Sequence, residues 1–276
     1  MSISNAPYLA PAPQGNNTGN SKVIGIIITT VSIVLIAAII AVAVLLARSS
    51  QTSDPSPSST GSSPSTTAKQ LSITERAESG ITLGKDLKAG TVNTGARQID
   101  IYFDYACSHC NHLGNDYGTG LGEAAKAGNI TLVYHPVAIM NTLFSYTGAS
   151  AEFFVAENEP DKYYVFHELL HEKVMTPYMK GELNPQTDDI IAVAREAGVS
   201  ETNIDKLSKE LTTIEDSLLK GDSSNITPLL EKVLDTTEQF VNESITSTGS
   251  AGTPTVYIDN VKSKNWTQDI PDLINK

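Results

Sequence analysis

From Leu71 onward the chain changes between short β-patterned runs and longer stretches with apolar residues at helical spacing. Ile81-Thr82-Leu83-Gly84 reads as a short strand and Thr91 to Gly95 as a turn region. Gln98-Ile99-Asp100-Ile101-Tyr102-Phe103 predicts a firmer strand, rich in β-formers. Beyond it Leu113, Tyr117, Leu121 and Ala125 recur every four residues, one stripe of a helix. Gly114, Gly118, Gly120 and Gly122 interleave with that stripe, each costing about 1 kcal/mol against Ala, so a kinked or interrupted helix is expected. Ile130 to His135 predicts a second strand, ended by Pro136. Strand, helix and strand in this order make a βαβ unit with adjacent, parallel strands.

About a hundred residues of helical pattern follow, with periodic segments at Ala149 to Ala156, Asp161 to Val174, Asp188 to Ala197, Ile204 to Leu219 and Leu229 to Ile245. Asn184-Pro185 and Gly198-Val199-Ser200 punctuate them. Strand character returns at Thr255-Val256-Tyr257-Ile258, turns at Asp259-Asn260, and gives way to a short helix from Gln268 to Asn275. The order predicts an α/β domain over 71–276, one split sheet with a helical block inserted at about 141–247. No internal repeat is visible.

Before Leu71 the patterning is of another kind. Residues 1–22 are small and polar and read as a disordered tail. Val23 to Ala47 runs without a charge; as a helix it would reach roughly 37 Å, enough to cross a hydrocarbon core of about 30 Å. The competing reading is a cleaved signal peptide, but the cleavage-like Ala41-Val42-Ala43 lies inside the apolar run rather than after it. An uncleaved single-pass anchor is therefore expected at 23–47, giving a cell-membrane protein. Lys22 and Arg48 flank the run on either side, so charge alone barely orients it. Residues 48–70 are mainly Ser, Thr and Pro and read as a solvated linker. Its random-coil span is on the order of 25 Å, which keeps the folded part close to the bilayer.

Acidic side chains outnumber basic ones, 31 to 19, for a net charge of -12. A chain so acidic, with no basic cluster, is a poor binder of nucleic acid or anionic headgroups. The chain has two cysteines, Cys107 and Cys110, too few for a disulfide scaffold, so a bridge between them serves chemistry rather than stapling.

Those two cysteines stand directly after the firmer strand, in Asp104-Tyr105-Ala106-Cys107-Ser108-His109-Cys110. A strand delivering Cys-x-x-Cys to a helix start is the arrangement of thiol–disulfide exchange enzymes. Free backbone N–H groups and the positive end of the helix dipole there favour a thiolate. Zinc is the rival ligand for Cys107, Cys110, His109 and His112, but close neighbours on one helix start converge poorly on a tetrahedron. His167-Glu168-Leu169-Leu170-His171 satisfies H-E-x-x-H in letters, yet no histidine follows as a third ligand; two ordinary helix histidines are expected. No metal site is therefore expected. His135 reads as a strand-end residue. Asp104 has two open readings, proton transfer near Cys110 or closure of the strand-end turn.

Tyr102 to Cys110, Leu132-Val133-Tyr134-His135-Pro136 and Gly252-Thr253-Pro254-Thr255-Val256 together resemble the thioredoxin superfamily. Within it they look most like the DsbA-like thiol–disulfide oxidoreductases, which also carry a helical insertion. The resemblance covers about 71–276 and implies a thioredoxin-like fold with Cys107 as attacking and Cys110 as resolving thiol. It implies that His109 hydrogen-bonds the Cys107 thiolate, stabilising the reduced form and making the disulfide the stronger oxidant. Ser108 stands where strongly oxidising members carry Pro. Pro254 resembles the family's cis-proline, and Thr253 before it, a residue common in isomerases, would offer its backbone to a substrate chain. The implied activity is oxidation of thiols in secreted or membrane proteins, outside the cytoplasm, with a quinone-linked membrane partner for reoxidation and no cofactor. The alternatives are a reductase or isomerase, for example in cytochrome maturation, and a surface binding module without enzymatic activity.

Overall fold

The firmer strand of the sequence, β2 (Arg97–Phe103), is the centre of a five-stranded sheet. The computed structural model describes residues 71–221 and 223–274; the predicted tail, anchor and linker lie outside the described residues. Among the described residues no helix is long and apolar enough to cross a membrane. β2 is buried on both faces from Ile99 onward, as suits a central strand. On one side it pairs in parallel with β3 (Ile130–Pro136), Ile99 opposite Leu132 and Phe103 opposite Pro136. On the other it pairs antiparallel with β4 (Thr255–Ile258), Ile101 opposite Val256. β1 (Ile81–Leu83) adds antiparallel to β3 and β5 (Val261–Lys262) to β4, giving the order β1-β3-β2-β4-β5.

Before β1 lies α1 (Ile73–Ser79), a short helix that the apolar pattern does not reveal. Its signal is a capping box. The Ser72 hydroxyl accepts from Glu75 N–H at 3.2 Å, and the Glu75 carboxylate accepts from Ser72 N–H at 2.8 Å. Between β2 and β3 runs α2 (Ser108–Ala127), closed by Gly128 in the left-handed region at φ 87°. The expected kink is absent: α2 is continuous over 20 residues. The glycines do not break it because three of them face a neighbouring helix at close range. A methyl at Gly114 would strike the His171 ring and one at Gly122 the Tyr164 hydroxyl, while Gly118 lies against Glu168. Packing through the missing side chains outweighs the propensity cost.

Between β3 and β4 come α3 (Leu143–Asn158), α4 (Tyr163–Leu170), α5 (Thr176–Met179), α6 (Thr187–Glu196), α7 (Glu201–Lys220) and α8 (Pro228–Thr248). α4 and α5 are joined by a π-helical turn, His171–Met175. The final helix is α9 (Trp266–Ile274).

Alternation along β2 splits the interior in two. Ile99, Ile101 and Phe103 enter the large core with α2 and the helical block. Tyr102 joins Val137, Phe240 and Tyr257 on the other face. There Arg76, fully buried, makes a bidentate pair with Glu243, its Nη1 donating at 3.0 Å and its Nη2 at 2.5 Å. Its remaining donors reach Asn260 Oδ1 at 3.0 Å and the Tyr102 hydroxyl at 2.9 Å, and the guanidinium lies 3.6 Å from the centre of the Tyr257 ring.

Candidate active site

β2 ends at Phe103, and the turn that follows is built by Asp104. Its carboxylate is fully buried. Oδ1 accepts from Ala106 N–H at 2.8 Å and the Ser145 hydroxyl at 2.7 Å, and Oδ2 from Met140 N–H at 2.8 Å. Burial raises its pKa, against these donors. Turn closure is what these contacts perform. Tyr105 runs inward from the same turn, packed over Gly148, where a Cβ would lie 2.6 Å from the ring. Its hydroxyl donates to Glu152 Oε1 at 2.5 Å. Glu152, the one charge inside the apolar pattern of Ala149 to Ala156, also accepts from the Tyr163 hydroxyl at 2.5 Å and lies 3.1 Å from His167 Nδ1. Periodicity alone does not mark it as part of the site. A lone charge within an apolar helical stretch was the available signal, because a buried charge must find partners.

Cys107 is the N-cap of α2, and Cys110 lies one turn inside. By surface the two are almost equally closed off, 6% and 5% exposed. Their surroundings differ in what they do to the thiols. Cys107 is pulled down to about 5 from an ordinary 9.0, first by the hydrogen bond from Cys110, then by Thr253 and by the backbone N–H groups of Cys110 and His109, against the opposing effect of burial. The Thr253 hydroxyl is buried and makes no hydrogen bond among the described residues. Cys110 is pushed well up, first by burial and then by its neighbour Cys107. The pair stands as two thiols.

The Thr253–Pro254 bond is cis. The loop before β4 lies against the helix start, where the Cys107 thiol donates to the Thr253 carbonyl oxygen at 3.1 Å. Cys107, Cys110 and Thr253 are thus assembled from both halves of the split sheet. The His109 side chain is exposed, with its ring edge-on to His112 at 6.2 Å; it is the backbone N–H of His109 that serves Cys107.

The H-E-x-x-H stretch occupies the end of α4 and the first residue of the π turn. His171 Nε2 donates to the Asn111 carbonyl oxygen at 3.2 Å, and Thr176 Oγ1 donates to Asn111 Oδ1 at 2.8 Å, so the π turn and the first residue of α5 clamp the residue after Cys110. Burial lowers His171 to about 4. Burial acts in the same direction on His167, but the Glu152 carboxylate outweighs it and the net shift is upward. Among the described residues no three His, Cys, Asp or Glu side chains converge as metal ligands. His167, Glu168 and His171 instead line a narrow cavity together with Cys110, Gly114 and Gly118. His135, on the other face of the sheet, is fully buried and donates from Nε2 to Asp100 Oδ1 at 3.0 Å.

The thioredoxin family model matches residues 89–274. No curated protein sequence matches the chain. Among solved structures it is similar to the MdbA protein of Actinomyces oris, described as a thiol-disulfide oxidoreductase, at 23% identity and TM-score 0.55, covering 72% of this chain and 88% of that one. MdbA of Corynebacterium diphtheriae matches at 20% identity and TM-score 0.53, over 77% of this chain and 98% of that one. The oxidised BdbD of Bacillus subtilis matches at 17% and 0.50, over 72% and 95%. At these identities the likeness is one of fold.

Proposed function

Because this chain belongs to the thioredoxin family, we propose that it is a DsbA-like thiol–disulfide oxidoreductase, anchored by residues 23–47, that forms disulfides in secreted or membrane proteins outside the cytoplasm. The observation that carries this reading is the opposite displacement of two thiols one helical turn apart, Cys107 down to about 5 and Cys110 well up. In the oxidising direction a substrate thiolate attacks Cys107 Sγ of the Cys107–Cys110 disulfide. That bond breaks, and its electron pair leaves with Cys110, which takes up a proton. A second substrate thiolate then attacks the substrate sulfur of the mixed disulfide, and Cys107 departs as the stabilised thiolate. The substrate has lost two electrons and the enzyme has gained them. A quinone-linked membrane partner that takes them away again belongs to the same proposal.

Magnitude decides how far the bias goes. At pH 7 a thiol at about 5 is ionised about a hundred to one. A tenfold change in equilibrium constant is about 30 mV for a two-electron couple, so Cys107 alone accounts for at most about 60 mV, reduced by solvent screening. The interval from thioredoxin to DsbA is about 150 mV. Cys107 therefore favours oxidation without reaching the extreme, which fits Ser108 in place of Pro.

The test is the reduction potential of the Cys107–Cys110 pair in the full-length chain, equilibrated against a glutathione series. A value well above the ~-270 mV of thioredoxin is expected. A value at or below it would make the protein a reductase fed with electrons across the membrane.

A further inference from the structure

Just past the first turn of α2 stands an asparagine, Asn111, that is only 7% exposed. Asparagine is a poor helix former, and a buried amide must find partners. Those it finds come from the inserted helical block. The Thr176 hydroxyl reaches Asn111 Oδ1, and the His171 ring reaches the Asn111 carbonyl oxygen from Nε2. On its third side the Asn111 N–H donates to the Cys107 carbonyl oxygen at 3.1 Å, the bond that closes the first turn of α2. Asn111 therefore joins the backbone of the reactive cysteine to two residues that lie 60 and 65 positions further along the chain.

Both partners are set up for this contact. Gly114 leaves the space that the His171 ring occupies, since a Cβ there would lie 2.3 Å from Nε2. His171 is neutral at working pH, so it has one ring proton to give, and a carbonyl that can only accept fixes that proton on Nε2. In an α-helix, residues five apart point about 140° away from each other. Here the Thr176 N–H closes on the His171 carbonyl, five residues back, and the wider π turn brings ring and hydroxyl to the same side. Turns of this kind are rare and gather at functional sites.

We propose that Asn111 is a positioning residue for the reactive thiol: held by His171 and Thr176, it fixes the first turn of α2 so that the N–H groups of His109 and Cys110 stay aimed at Cys107 Sγ. The inference rests on the exchange reaction proposed above, in which Cys107 departs as a thiolate. Those two N–H groups stabilise that thiolate, and they belong to the turn that Asn111 closes. A hydrogen bond weakens steeply as its angle opens, and one to a charge has the most to lose. A tilt of the first turn therefore costs the thiolate more than the thiol. The helical block, and not the helix end alone, sets how readily Cys107 leaves. A purely packing role makes a different demand: losing the Asn111 contacts would lower stability and leave the ionisation of Cys107 where it was.

The experiment is the rate at which iodoacetamide alkylates the reduced full-length protein across the pH range, whose midpoint is the apparent pKa of Cys107. Thr176→Val keeps the shape and removes the donor. It raises the midpoint by about half a unit to one unit, the size of one weakened charge-assisted hydrogen bond. Thr176→Ser, which keeps the hydroxyl, restores the wild-type midpoint. His171→Phe fills the space at Gly114 without a donor and shifts the midpoint the same way, while His171→Gln, with a side-chain N–H, restores part of it. A folded Thr176→Val with the wild-type midpoint overturns the proposal. If that variant does not fold, His171→Phe with the wild-type midpoint overturns it. A wild-type protein that is alkylated at Cys107 yet exchanges no disulfide with glutathione overturns the functional reading instead.

Discussion

The two faces of the sheet bury charged groups in different ways. On the face away from the cysteines, Arg76 and Glu243 satisfy each other, with Tyr102, Tyr257 and Asn260 taking the rest of the guanidinium. His135 and Asp100 pair beside them. On the cysteine face, Glu152 is equally saturated, but Glu168 makes no hydrogen bond among the described residues and lines a cavity with Cys110. Buried polar groups that are fully paired hold a structure and have nothing left to react with. Chemistry needs groups whose protons and lone pairs are still available. The difference locates function more sharply than burial or charge does.

The comparison can be broken by separating activity from stability. The largest effect is expected for Cys107→Ser, which removes all disulfide exchange with glutathione while the protein still unfolds cooperatively in a urea titration. Retained exchange would end the reading of the cysteine face as the reactive one. Arg76→Ala should do the reverse. It strands Glu243 without its partner and lowers stability by about 3–5 kcal/mol in a urea titration, with the exchange rate of the folded fraction unchanged. Glu152→Gln sits between, because it holds Tyr105 of the active-site turn as well as His167 at the cavity. A loss of about 1–3 kcal/mol is expected, together with an altered exchange rate. Acidification has the smallest effect. Cys107 lies below its ordinary value, so its stabilisation of the reduced form is complete only above about pH 9, shrinks as pH falls and is gone below about 5. The difference in melting temperature between reduced and oxidised protein should shift in the reduced form's disfavour across that window.

Much of this was readable in the chain. The βαβ unit and its parallel pairing followed from periodicity, because β2 and β3 are short apolar runs bounded by clear turn signals. The thiol pair, and the loop at Thr253 and Pro254 that meets it, were legible as residues at known spacing. What escaped depends on long-range packing. Propensity treats Gly114, Gly118 and Gly122 as breaks in a helix, and only the approach of α4 turns them into a surface. Arg76 and Glu243 stand 167 residues apart, and nothing local in either announces the other. The letters of H-E-x-x-H marked a real cluster, but its packing depended on the π turn that sets His171 over Asn111.

The capping box at Ser72 fixes where the folded part takes hold of its own chain. Leu71 N–H donates to Glu243 Oε1 at 3.4 Å, and Asn260 Nδ2 donates to the Leu71 carbonyl at 2.9 Å, so the entry point is fastened to the buried ion pair. The Leu71 end of the domain is therefore joined to α8 and the β4–β5 turn, on the face of the sheet away from the cysteines. A fixed point on one face leaves the cysteine face without the Leu71 end against it, open to a docking thiol.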